Sequence, residues 1–239
     1  MKTKKRDKTI AIHQPNFFPW LGYFNKIVRS DAFILLDNVQ LQKTGGTWSN
    51  RVKLCVSGEA RWVTAPIDRS YHGVRNISEM EFNESIPWRE KMVKTLEANY
   101  RKAPFFGEVF PFIENLVLNP EANLARYNIE AIRSIAMLLG IDTEKLVLGS
   151  SLEVDGHATD LLICMTKAVG GSAYMCGGGA EGYQQDASFA EAGLDLVYQD
   201  FQQPVYQQAG PTEFVSGLSI LDALMNLGKD GVRSLLLKI

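Results

Sequence analysis

Short apolar runs open the chain, helical periodicity fills its middle, and strand-like runs alternate with amphipathic stretches in its last third. Residues 9–12 form an apolar run suited to a buried strand, which ends at the polar pair His13 and Gln14. Pro15 and Pro19 fix φ and disfavour helix for the residues before them, so a loop follows, with helix expected over 21–29. A second apolar run at 31–37 completes a strand–helix–strand unit, which implies a right-handed crossover and a parallel sheet. Residues 51–56 and 61–66 read as strands joined by a hairpin turn at Gly58-Glu59. Residues 67–77 read as an exposed loop, and 77–82 alternates enough to predict one more strand.

From Trp88 the period changes. Trp88, Met92, Leu96 and Tyr100 recur at a spacing of four, the signature of an amphipathic helix. Ala103-Pro104 interrupts it, and helices are expected over 105–118 and 123–139, the latter closed by Gly140 as a C′ glycine. Strands at 145–150, 173–176 and 195–199 then alternate with helices at 157–169 and 183–192, a second βαβαβ run. A last helix is expected over 212–225, with Phe214, Leu218, Leu221 and Leu224 on its apolar face. The pattern predicts an α/β fold: a mostly parallel, Rossmann-like sheet flanked by helices, with a central helical segment at 88–140. One domain over 9–239 is expected, with a β-rich segment at 40–82, after a basic, frayed tail at 1–8.

Composition narrows the function classes. The 239 residues carry a net charge of −2, which gives no electrostatic footprint for nucleic acid or an anionic membrane. The first apolar run is too short for a membrane span or a signal peptide. Three cysteines without C-x-x-C spacing and three histidines predict no metal site, and a reducing cytoplasm fits them best.

Candidate chemistry gathers at the expected carboxyl ends of strands, where open α/β sheets bind ligands. His13 ends the first strand and is the candidate acid/base or phosphate contact, or else only a tie for its loop. A helix N-terminus following that loop suits an anion. Asp37 ends the second strand on the same edge. Gly177, Gly178 and Gly179, running on to Tyr183, form either a tight strand-to-helix turn or a cradle of backbone N–H groups for an anion. They match neither a dinucleotide fingerprint nor a P-loop. Trp20 and Tyr23 belong to an aromatic cluster, and Asp200 closes the last strand. Asn50, Arg51 and Lys53 offer polar and basic groups, but alternation sets Arg51 and Lys53 on one face and Asn50 on the other.

Taken together, these residues resemble the WbqC-like protein family. The resemblance rests on His13-Gln14-Pro15, Pro19-Trp20 and Gly22-Tyr23-Phe24-x-Lys26-Ile27, then Asp37-Asn38-Val39-Gln40 and Asn50-Arg51-x-Lys53. It continues through Tyr100-x-Lys102-Ala103-Pro104, the glycine run to Tyr183, Gln199-Asp200-Phe201, Pro204-Val205-Tyr206 and Leu218-Ser219-x-x-Asp222-x-Leu224. It implies a place in bacterial surface polysaccharide (O-antigen, lipopolysaccharide) biosynthesis. The implied activity is a transferase or ligase acting on a nucleotide-activated sugar or its acyl or aminoacyl donor. The alternative is an accessory protein that binds a nucleotide or glycan without turnover. His13 is then the catalytic candidate. Gln14, Trp20, Gly22, Tyr23, Asp37, Gln40, Asn50, Arg51, Lys53, Gly177, Gly178, Gly179, Tyr183 and Asp200 are the candidate substrate contacts. The expected ligand is a small molecule, a nucleotide or nucleotide-sugar, with neither nucleic acid nor a membrane span involved. Trp20-Leu21-Gly22-Tyr23 also resembles the HxGH element of nucleotidylyltransferases, but only Gly22 matches, with Trp20 and Tyr23 in the histidine positions.

Overall fold

The structure, a computed structural model, describes residues 7–42, 47–177 and 185–238. Its frame is a five-stranded parallel sheet. Strand β1 (Thr9–His13) leads through helix α1 (Leu21–Arg29) to β2 (Ala32–Leu35), which lies beside it. A hairpin of β3 (Arg51–Val56) and β4 (Glu59–Thr64) stands apart from the sheet. Helices α2 (Trp88–Tyr100), α3 (Phe106–Val117) and α4 (Leu124–Leu138) make up the central helical segment. The chain then returns through β5 (Leu146–Leu148), α5 (Ala158–Ala168), β6 (Ala173–Cys176), α6 (Asp186–Glu191), β7 (Asp195–Tyr198) and α7 (Ile220–Leu236).

The strand order is β5-β2-β1-β6-β7. The chain steps outward from β1 through β2 to β5, then returns to pair β6 on the other side of β1. Strand order therefore reverses between β1 and β6, and open α/β sheets bind ligands in the crevice at the carboxyl ends of such a pair. Alternation divides the strands between two cores. Ile10, Ile12, Ile34 and Tyr174 pack against α5 and α6, while Ala11, Phe33, Leu35 and Met175 join the larger core built with α1, α4 and α7.

Three expected elements differ. Residues 77–82 are not a strand: Ile77–Glu79 is a 3-10 turn, because the Glu79 carboxylate accepts the Asn76 N–H at 2.8 Å and bends the chain. The hairpin turn falls on Ser57-Gly58, both with positive φ, rather than on Gly58-Glu59. The last helix begins at Ile220, not near 212. Ser219 caps it by accepting the Leu221 N–H, and the Gln208 side chain takes both backbone groups of Val215, which a helix would otherwise pair. Residues 199–219 are instead an irregular strap. The helix runs on past 225 through a kink at Gly228 (φ 68°), where a Cβ would stand 2.6 Å from the Phe105 ring.

Candidate functional site

A cavity of about 680 Å³ occupies the crevice at the carboxyl ends of β1 and β6. The β1 loop forms its floor. His13 stands edge-on to Tyr23 (centroids 4.9 Å apart) and Trp20 (5.7 Å). The Tyr23 hydroxyl donates to the Gln14 carbonyl at 3.0 Å, tying α1 to the loop that feeds it. Asn128 of α4 donates to the carbonyls of Pro15 (2.9 Å) and Ser49 (2.7 Å), so one buried amide holds the β1 loop and the Trp48 turn together.

Trp20 occupies the N-cap position of α1 but supplies no side-chain cap, and the first turn carries no acidic residue. The N-terminal N–H groups of α1 therefore receive no acceptor from the cap or from an acidic side chain of the first turn, where the helix dipole favours an anion. Gly22 gives the rings room in that first turn: a Cβ would lie 2.7 Å from Trp20 Nε1 and 2.8 Å from the Phe201 ring, and both side chains would have to shift. The strap closes the opposite wall. Gln199 Nε2 donates to the Gly22 carbonyl (2.7 Å) and Asn25 Oδ1 (2.9 Å), and Arg29 donates to the Gln199 carbonyl. Asp200 turns the chain with φ 46°, which places Phe201 over Gly22.

Lys26 sets the electrostatics. It is 4% exposed and lines the cavity, and its Nζ donates to the Ile12 carbonyl at 3.1 Å. No described carboxylate pairs with it. Burial pulls its pKa down from 10.5 to about 8, only partly opposed by the nearby Cys176. His13 is lowered from 6.5 to about 3, first by burial and then by the Lys26 charge. Its Nδ1 lies 3.2 Å from the Gln14 carbonyl, so Nδ1 carries the proton of the neutral ring and Nε2 keeps a lone pair. The cavity is thus lined by a neutral imidazole, a buried cation with no counter-ion among the described residues, and the Trp20 indole.

Of the sequence-predicted residues, His13, Gln14, Trp20, Gly22, Tyr23, Gly177 and Asp200 line this one cavity. Arg51 and Lys53 stand on the outer face of the hairpin and reach the cavity mouth only through Trp48 and Trp62. Three others lie elsewhere. The Asp37 carboxylate accepts the N–H and hydroxyl of Ser150. Gln40 is exposed, in an isolated bridge with Asn76. Buried Asn50 donates to the Ala65 carbonyl and accepts from Thr47. Gly178, Gly179 and Tyr183 lie outside the described residues. The sequence-based list lacks Lys26, Trp48, Gln199 and Phe201, all of which line the cavity. The signal for Lys26 is its spacing, four residues after Gly22 and three after Tyr23 on one helical face.

The fold and the cavity define an α/β protein with a doubly wound parallel sheet and a polar crevice at its switch point. Within that class, the family model described as the WbqC-like protein family matches residues 14–234, and the chain belongs to that family. It is also similar to a protein of Mycobacterium tuberculosis named Uncharacterized protein Rv1507c, 28% identical over 225 residues, spanning 93% of this chain and 95% of the relative. No solved structure matches it significantly.

Proposed function

We propose that the chain is a transferase of bacterial surface polysaccharide assembly, whose cavity between β1 and β6 takes a nucleotide-activated sugar or its acyl or aminoacyl donor. The observation that carries this reading is Lys26, a buried ammonium lining the cavity with a main-chain carbonyl as its hydrogen-bond partner and no described carboxylate in reach. An isolated buried cation is costly, and an anionic ligand relieves that cost. The α1 N-terminus and the Trp20 indole N–H supply further donors for the same anion.

In this reading the donor's phosphate or carboxylate binds against Lys26. Its negative charge offsets the field that holds the His13 pKa down, so donor binding raises the basicity of Nε2. His13 then accepts the proton of the acceptor hydroxyl or amine as that group forms its bond to the transferred carbon or phosphorus. The leaving group departs with the bonding electron pair, held by the same cationic donors. The family's association with polysaccharide gene clusters supplies the substrate class.

Calorimetry with nucleotides and nucleotide-sugars on wild type, Lys26→Met and His13→Ala tests the assignment. Lys26→Met is expected to weaken binding at least tenfold, while His13→Ala retains binding and loses turnover. Unchanged affinity in Lys26→Met overturns the anion site. Binding with no turnover of any donor–acceptor pair by wild type leaves an accessory binding protein instead.

A further inference from the structure

A second group of aromatic and cationic side chains begins where the cavity ends. Trp20, inside it, packs on Trp48 with ring centroids 5.0 Å apart, and Trp48 stands edge-on to Trp62 at 4.7 Å. The path therefore runs from the cavity wall onto the outer face of the β3–β4 hairpin. Strand alternation explains the grouping. Val52 and Leu54 turn inward and are buried, while Arg51 and Lys53 turn outward, and Trp62 is the direct cross-strand partner of Lys53.

Both cations lie on the indoles. The Arg51 guanidinium carbon is 4.1 Å from the Trp62 centroid, and Lys53 Nζ is 5.1 Å from Trp62 and 6.0 Å from Trp48. Among the described residues neither cation pairs with a carboxylate, and the buried Arg51 Nε has no acceptor. Trp48 and Trp62 each remain 38% exposed. A solvated charged face explains surface cations, but not two half-open indoles that hold both of them over their rings beside a buried N–H with no acceptor among the described residues.

We propose that this face is a second subsite, which seats an acidic saccharide: its ring packs against Trp48 and Trp62, and its carboxylate or phosphate sits on Arg51 and Lys53. The two indoles meet at 70°, so they form a corner rather than a parallel slot. A corner suits a puckered ring with a C–H face and polar edges better than a planar base, which stacks on a flat face. The guanidinium adds paired donors for the anion. As the acceptor side of the transfer, the subsite rests on the donor reading of the cavity. Its ability to bind stands on the hairpin alone.

The test is tryptophan fluorescence and saturation-transfer NMR on the full chain, with glucuronic acid and glucose 1-phosphate as probes and glucose and uridine monophosphate as comparators. Both acidic sugars are expected to bind with saturation transfer to their ring C–H groups, and glucose at least tenfold more weakly. Trp62→Ala, and separately a double Arg51→Gln and Lys53→Gln variant that keeps the indoles, should each weaken the acidic sugars at least fivefold and leave uridine monophosphate unaffected. Equal affinity of the acidic sugars in wild type and both variants, or a loss confined to uridine monophosphate, overturns the subsite. Glucuronic acid binding that depends on Trp62, with no nucleotide affected by Lys26→Met, removes the donor reading and leaves the subsite standing.

Discussion

The charge of Lys26 is one reason that His13 is neutral. After burial, the Lys26 ammonium is the next largest influence holding the His13 pKa near 3, yet Lys26 itself is drawn down to about 8 by its own burial. Burial thus holds each group away from its charged form. A ligand anion would favour the charged form of both.

The first consequence is a trade between stability and binding at Lys26. Its folded pKa lies below its unfolded value, so between about pH 8 and 10.5 the unfolded chain binds more protons and stability rises with pH across that window. At pH 7 the full cost of the buried charge is present, about 3 kcal/mol for a shift of this size. Lys26→Met keeps the length and loses the charge. It should raise stability at pH 7 by about 1–3 kcal/mol, the gain being reduced by the lost hydrogen bond to Ile12. Chemical denaturation at pH 7 and pH 10 checks this: the advantage of the variant should shrink at the higher pH.

Ligand binding should also move protons. At pH 8 Lys26 is about half protonated in the free protein. An anion placed beside it raises its pKa and completes its protonation. Calorimetric titration of a nucleotide at pH 8 in buffers of different ionisation enthalpy should report net proton uptake, which vanishes in Lys26→Met and falls away at pH 6.

His13 predicts the acid limb. Its folded pKa of about 3 lies below its ordinary 6.5, so below pH 6.5 the unfolded chain takes up a proton that the native site resists. The stability held above pH 6.5 is therefore lost progressively as pH falls towards 3. His13→Gln, which cannot titrate, should flatten this limb in denaturation curves taken between pH 4 and 7.

Gly22 separates helix stability from site geometry. Alanine in place of glycine inside a helix gains about 1 kcal/mol in propensity. At Gly22 the new Cβ would meet Trp20 Nε1 at 2.7 Å and the Phe201 ring at 2.8 Å, both on the cavity wall. Gly22→Ala should therefore change the melting temperature by only a few degrees while weakening nucleotide binding at least fivefold. Differential scanning calorimetry and a binding titration on the same sample read both effects.

Much of this architecture is legible in the sequence. Apolar runs locate β1, β2, β6 and β7, and the alternation of strands with helices implies their parallel arrangement. The cavity-lining His13, Gln14, Trp20, Gly22 and Tyr23 follow from one strand–loop–helix unit, where local sequence fixes local geometry. What distance along the chain conceals is the strap. Gln199 and Phe201 reach Gly22 only because the sheet sets β7 two strands from β1, and no local pattern encodes that contact. Lys26 shares a helical face with Gly22 and Tyr23, but a lysine on an amphipathic helix ordinarily faces water, and its burial comes from tertiary packing that spacing alone does not encode. Asp37 and Asn50 lie away from the cavity, since polar residues at strand ends and turns also serve to satisfy backbone groups, as these two do.

The strap carries its own anchor, remote from the cavity. Asp222 of α7 is fully buried, and its Oδ2 accepts the Tyr206 hydroxyl at 2.6 Å and the Gln208 amide at 2.9 Å. Burial pushes its pKa above 3.8, opposed by those donors. Gln208 in turn holds both backbone groups of Val215, and Ala209 donates to Asn226, so one carboxylate secures the middle of the segment whose first residues wall the cavity. Because the folded pKa is raised, the native protein binds more protons between pH 3.8 and its folded value, and stability falls as pH rises through that window. Asp222→Asn should abolish that fall. Asp222→Ala leaves the Tyr206 hydroxyl and the Gln208 amide without their acceptor and should cost about 2–4 kcal/mol. Hydrogen exchange should locate the loosening in residues 199–219 ahead of the sheet, and nucleotide affinity should fall with it. Exchange that rises uniformly across the chain would show that Asp222 supports the core as a whole and has no particular hold on the strap.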